Sequence, residues 1–172
     1  GTLTQGKPVV TDVVRVGALD EARLLALAAD LEIRSDHPLA AAIVEAARGQ
    51  GHQAQPATQV AAIAGRGAQG VIDGQRFYIG NPQLFHELGV SLGGAADAVA
   101  ALQAHGKTVM LVGTSAALYG LIAVADEVRA NSRAAVTALK RAGIQHTIML
   151  TGDNAATVRA IAAEAGVDGY RF

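Results

Sequence analysis

Three short residue groups in this sequence carry the side chains and backbone freedom that phosphate and base chemistry needs. The first is Thr151-Gly152-Asp153-Asn154, a hydroxyl, a flexible glycine and a carboxylate set between an apolar run and a helical pattern. Amides at a helix start attract phosphate oxygens, and the hydroxyl adds a donor. The carboxylate could orient a ligand hydroxyl or a magnesium-bound water. The plainer reading is a helix cap, because Asp and Asn are preferred there. The second group, Ser35-Asp36-His37-Pro38, sets a histidine at the mouth of a helix. A neutral imidazole there can donate to a phosphate or stack beside a base. The alternative is an exposed His in a helix start capped by Ser35 or Asp36, with Pro38 in the first turn. The third group is Gly65-Arg66-Gly67 followed by Gly80-Asn81. Bare backbone lets a ligand approach closely, but glycines also simply make bends and turns.

The remaining polar residues read more plainly. Glu32, five residues before His37, looks like a solvated acid at a helix end. Asp126 and Arg129 look like an exposed pair of small energetic value. His52, His86, His105 and His146 show no ligand spacing, so no metal site is read from them.

These groups need elements to hold them. Val9–Val16 reads as a strand, and residues 20–33 and 37–49 as helices with apolar residues at helical spacing. Residues 60–63, 68–72 and 75–79 read as short strands, the last two joined by Asp73-Gly74, a two-residue hairpin signal. Helices over 82–87 and 95–104 and strands over 107–112 and 118–125 follow. Up to this point the pattern is an antiparallel sheet with helices gathered on it, an α+β layer arrangement. From Tyr119 the order strand, helix (131–141), strand (147–150), helix (to 165) suggests a parallel α/β unit. In such a unit Asp126 and Asp153 would end neighbouring strands on one rim.

Composition narrows the choices. The 172 residues suit one domain or one domain with part of a second. Hydrophobic residues make up 51% and aromatics 3%, so aliphatic side chains must fill the core. A formal net charge of -1 gives no basic excess, and no nucleic-acid partner is expected. The absence of Cys removes disulfides, thiolate ligands and a thiol nucleophile together. No run approaches the ~20 apolar residues that cross a bilayer. No signal peptide is visible, so a soluble chain is expected. It starts without Met and is expected to be an excised piece.

Taken in order and spacing, the motifs are far more specific than any one of them. The chain resembles the type IB P-type ATPases, the heavy-metal-transporting branch. Gly1-Thr2-Leu3-Thr4 is similar to the end of that family's Asp-Lys-Thr-Gly-Thr phosphorylation motif and the stretch beyond it. Ser35-Asp36-His37-Pro38-Leu39 is similar to its Ser-Glu-His-Pro-Leu signature, with Asp for Glu. Gly65-Arg66-Gly67, Gly80-Asn81, Asp126 to Arg129 and Met149 to Asn154 match its Gly-x-Gly, Gly-Asn, Asp-x-x-Arg and phosphorylation-domain motifs.

The resemblance implies a nucleotide-binding domain over 9–117, inserted in a partial haloacid dehalogenase-like phosphorylation domain made of 1–8 and 118–172. It implies that Glu32 accepts from the adenine amino group and that His37, beside Asp36, orients the adenine and phosphates. Gly65 and Gly67 would admit the nucleotide, so that a valine at 67 would fill its space, and Gly80-Asn81 would complete the pocket. Thr151, Gly152 and Asp153 would support phosphoryl transfer. ATP and Mg2+ are the implied cofactors. The implied partners are the other domains and membrane helices of a parent ATPase, with this piece on the cytoplasmic side and monomeric by itself. The phosphorylated Asp and the acidic magnesium-holding segment would lie outside the chain, so the piece is expected to be inactive alone. The runs 80–85 and 120–126 look more like the zinc, cadmium and lead branch than the copper branch. A soluble haloacid dehalogenase-type phosphatase is the main alternative, but it needs an Asp-x-Asp after a first strand, and none stands near the start. A non-catalytic ATP-sensing module is the third.

Overall fold

The computed structural model describes residues 2–151 and 155–171. Its main body is a six-stranded antiparallel sheet in the order β1-β6-β5-β4-β3-β2. The strands are β1 (Thr4–Arg15), β2 (Thr58–Ile63), β3 (Gly67–Ile72), β4 (Gln75–Gly80), β5 (Thr108–Gly113) and β6 (Leu118–Val128). The β3–β4 hairpin turns at Asp73 and Gly74, both at positive φ, as the two-residue turn requires.

Helices cover both faces of the sheet. On one face α1 (Glu21–Glu32) and α2 (Pro38–Gly49) pack with Phe77, Ile79, Val112, Ile122 and Val124. On the other, α3 (Pro82–Glu87) and α4 (Ala95–Ala104) pack with Val109, Leu111, Leu118 and Leu121. Successive side chains of a strand point to opposite faces, so 109–112 of β5 and 121–125 of β6 are apolar without alternation.

That double burial corrects one sequence expectation. A continuous apolar run is also the signature of a strand in a parallel α/β sheet, and the sequence lets 118–125 close the antiparallel sheet and at the same time open the parallel unit. The structure instead places β6 between β1 and β5, antiparallel to both. The parallel pairing is limited to β7 (Ile148–Leu150) with β8 (Gly169–Arg171), flanked by α5 (Ser132–Arg141) and α6 (Ala155–Ala165). Asp126 therefore lies two residues inside the end of an antiparallel strand, in a different sheet from β7; Asp153 lies outside the described residues.

Two glycines set the seat of α1. A side chain on Gly120 of β6 would come within 2.3 Å of Leu24 Cδ2, and one on Gly70 of β3 within 2.9 Å of Leu31 Cδ2. Leu24 and Leu31 are seven residues apart, two helical turns, and so lie on one stripe of α1. Both leucines drop into gaps that only glycine leaves, which fixes the line of the helix across the sheet. Asp20 caps its start by accepting from Arg23 N at 2.7 Å. Its last residue is Glu32.

Candidate functional site

The end of α1 and the start of α2 meet over the sheet beside β2 and β3, enclosing a cavity of about 840 Å3. Glu32, Asp36, His37, Gly65, Gly67 and Asn81 all line it. Its walls include Leu31, Val60, Ile63 and Met110, and no Phe, Tyr or Trp is among the lining residues. Gly80 is not on the wall but stands directly behind it, paired with Gly67 across β3 and β4.

Glu32 is not the solvated acid that its helix-end position suggested. It is only 6% exposed, and burial pushes its carboxyl above the usual range, against opposing pulls from the Ser35 hydroxyl and His37. A buried carboxylate of this kind favours a ligand that can donate a hydrogen bond.

His37 caps α2 itself, in place of the Ser35 or Asp36 cap expected from the sequence. Its Nδ1 accepts from Leu39 N at 3.2 Å, while its backbone N–H donates to Ser35 Oγ at 3.3 Å. The reason is Pro38, which restricts the residue before it to extended backbone; His37 sits at φ -73, ψ 138 and so becomes the cap. Accepting at Nδ1 puts the proton of a neutral ring on Nε2, which is then a donor. His37 and Asp36 are both exposed.

The glycines act differently from one another. Gly65 has φ +67, and a side chain there would meet nothing within 4 Å. A side chain on Gly67 would lie 2.0 Å from the Ile79 carbonyl oxygen, inside the neighbouring strand. One on Gly80 would lie 2.4 Å from the Arg66 carbonyl oxygen. The Gly67→Val expectation is therefore corrected: the added bulk would strike β4 and disturb the hairpin, not fill the ligand's space. Asn81 then locks the turn: its N–H donates to Arg66 O at 2.8 Å and its Nδ2 to Gly65 O at 3.0 Å, while its Oδ1 accepts from Leu84 N at the start of α3. Gly80-Asn81 is a clamp on the glycine turn, more than a turn of its own.

A second wall is pinned through α1. Asp30, 6% exposed, accepts at Oδ1 from Gln55 N at 2.7 Å and is bonded there to His52 Nε2 at 2.8 Å. Its backbone oxygen accepts from Ala57 N, next to the start of β2. Nothing in the spacing of His52 and Asp30 announced this strap. Sequence reasoning also missed Arg34 and Thr108 on the cavity wall, neither of which belongs to a recognisable motif.

The remaining expected residues do not join this cavity. Thr151 is half-buried and its N–H donates to Arg171 O at 3.1 Å; Gly152 and Asp153 lie outside the described residues. Asp126 does not pair with Arg129. Its carboxylate accepts from Gly6 N and Lys7 N at 3.2 and 3.1 Å, and Arg129 Nε donates to Thr4 O at 2.8 Å. Together they fasten the first residues of β1. Among the described residues no group of three potential metal ligands converges.

Residues 1–171 match the family model for haloacid dehalogenase-like hydrolases, and the chain belongs to that family. The relatives narrow this further. A copper-transporting P-type ATPase of Rhizobium leguminosarum bv. viciae is 44% identical over 99% of this chain and 20% of its own length. A probable cadmium-transporting ATPase of Staphylococcus aureus (strain MRSA252) is 46% identical over 97% of this chain and 24% of its own. The structure of a zinc-transporting PIB-type ATPase in an E2.Pi state superposes with a TM-score of 0.89 at 33% identity, covering 99% of this chain and 27% of that one. The chain thus spans about a fifth to a quarter of the length of the curated relatives it matches. The resemblance to heavy-metal P-type ATPases read from the motifs is borne out by these relatives, as is the mixed α+β fold.

Proposed function

We propose that this chain is the ATP-binding part of a heavy-metal-transporting P-type ATPase, and that the cavity between α1, α2 and the glycine turn receives the nucleotide. The observation that carries the reading is a buried carboxylate, its pKa raised by burial, facing a cavity whose floor is aliphatic and whose rim carries His37, the bare backbone of Gly65 and the side chains of Arg34 and Arg66. The adenine amino group supplies a donor to Glu32 in addition to the Ser35 hydroxyl. His37 Nε2–H donates to a phosphate oxygen, and Gly65 leaves the main chain open there. The cavity's volume is in the range that small-molecule sites occupy, about 300–1,000 Å3.

The described residues do not fit a magnesium site of their own, so Mg2+ is assigned no protein ligand here. Thr151, Gly152 and Asp153 are proposed to support phosphoryl transfer in the parent enzyme, with the 172 residues alone binding ATP or ADP without turnover, as a monomer. The functional division is proposed as nucleotide-binding for 9–117 and phosphorylation domain for 1–8 with 118–172, joined through the β1–β6 pair. No helix among the described residues is long and apolar enough to cross a membrane. The membrane spans are assigned to the parent, with this part on its cytoplasmic side. For the transported metal, the runs 80–85 and 120–126 favour the zinc, cadmium and lead branch.

NMR titration with ADP tests the site. Shifts are expected at Glu32, His37 and Gly65, and shifts confined to α5, β7 or β8 would refute it. His37→Gln is expected to weaken ADP binding roughly tenfold, as loss of one charge-assisted hydrogen bond does. The fold should survive that change, losing only the ~1 kcal/mol of a helix cap.

A further inference from the structure

Arg66 stands between the two glycines of the turn and lines the cavity, yet its guanidinium is held elsewhere. Its Nε donates to Glu87 Oε1 at 3.0 Å, and its Nη2 lies 2.8 Å from the same oxygen. Glu87 is the last residue of α3, on the opposite side of the turn from α1 and α2. The backbone of Arg66 cannot follow its side chain. Its N–H donates to Ile63 O at 2.9 Å, its carbonyl accepts from Asn81 N, and the Gly67–Gly80 contact closes the strands beneath it. Any change of partner is therefore confined to the side chain, which is 32% exposed against 46% for Glu87.

A guanidinium fork binds carboxylate and phosphate oxygens by the same paired geometry. Two anions thus have a claim on Arg66 once a nucleotide enters: the Glu87 carboxylate and the phosphates. We propose that Glu87 is a positioning residue of the nucleotide site, which competes with the phosphates of a nucleoside di- or triphosphate for Arg66 and so sets how much affinity the phosphates add to that of the base. The proposal rests on the nucleotide reading given above. An exposed ion pair is worth little, so the latch is weak enough for a phosphate to break.

The test is calorimetric titration of the chain with adenosine and with ADP, for the unaltered protein, Glu87→Gln, Arg66→Gln and the double variant. Glu87→Gln should bind ADP roughly fivefold more tightly, the equivalent of one released surface pair. Adenosine affinity should not move, since adenosine has no phosphate to offer. The gain should shrink at high salt, which screens an exposed charge contact. It should vanish in the double variant, which has no guanidinium to release. If Glu87→Gln weakens adenosine and ADP alike, Glu87 is only a brace for the turn and the proposal fails. Unchanged ADP affinity in Glu87→Gln, or a gain that persists in the double variant, refutes it equally. Glu87→Ala provides a second variant, with circular dichroism checking that each retains the fold. Failure of the unaltered chain to bind either ligand would overturn the nucleotide reading, and this proposal with it; binding of both without the Glu87 effect overturns this proposal alone.

Discussion

The six-stranded sheet and the α5–β8 segment are made from similar aliphatic residues and end in opposite conditions. In the sheet, β5 and β6 are sandwiched between helix pairs, and Leu111, Leu121, Ile122 and Val112 have no exposed surface. In the segment, Ile148 and Leu150 lie two apart on one face of β7 and remain 56% and 80% exposed. Leu139 and Ile144 nearby are also about half exposed. A two-stranded parallel pair with helices is not a complete layer, because parallel strands are stable when both faces are covered. The difference teaches that apolar composition does not make a core; the number of covering layers does. Among the described residues the segment's apolar burial is confined to its helices, including Val136, Val158, Ile161 and Ala165, and its strands are held internally by polar bonds: Lys140 Nζ donates to Asp168 at 2.6 Å, and Asp168 also accepts from Thr147.

The comparison breaks most readily at Gly120. Gly120→Val would drive a side chain into Leu24 and the Val14 carbonyl. It should cost about 3 kcal/mol in urea denaturation of the sheet, at the upper end of overpacking penalties. If the two regions differ as described, amide exchange in β5 and β6 should quicken while that of β7 and β8 changes little. Equal acceleration in both would show one cooperative unit. A smaller loss, about 1–3 kcal/mol, is expected for His52→Ala, which takes a partner from the buried Asp30 carboxylate; chemical denaturation monitored by Tyr fluorescence reads it.

Glu32 sharpens the contrast through pH. Burial raises its folded-state pKa above the unfolded value, so the folded form holds the proton more tightly. Stability from this group is full below the ordinary Glu value and is lost as pH rises through the raised one. Glu32→Gln should flatten that decline, leaving the sheet at least as stable near neutrality while weakening ADP binding; a melting series from acid to neutral pH checks it. The smallest effect belongs to the segment. Leu150→Thr, at a site 80% exposed, should shift stability by no more than about 0.5 kcal/mol. A larger loss by thermal melting would mean that β7 is covered after all.

Periodicity and turn chemistry made most of the elements legible. Residues 20–33, 37–49 and 82–87 appear as α1, α2 and α3 within a residue or two, and Asp73-Gly74 turns the β3–β4 hairpin. The long-range arrangement was less readable. The run at 118–125 has no alternation because both its faces are buried, and that erases the signal separating a central antiparallel strand from a parallel one. The three-residue β8 is too short to show a period. At the candidate site, Ser35 to His37 and Gly65 to Gly67, far apart in sequence, fall on the wall of one cavity. The cap on His37, the burial of Glu32 and the Asp30–His52 strap depend on neighbours distant in sequence, and no local pattern encodes them.

The Gly67–Gly80 contact has a consequence for how this lip can change over generations. Its shape is carried by main-chain atoms, with the Ile79 and Arg66 carbonyls occupying the space where side chains would be. Main-chain shape is indifferent to which residue stands at 66. Drift at that position can therefore retune charge, or swap the latch for another, without rebuilding the recess. Drift at 67 or 80 has no such freedom. A saturation library should be permissive at 66 and nearly empty at its two neighbours across the hairpin, so that the chemistry of the lip evolves on a scaffold that does not.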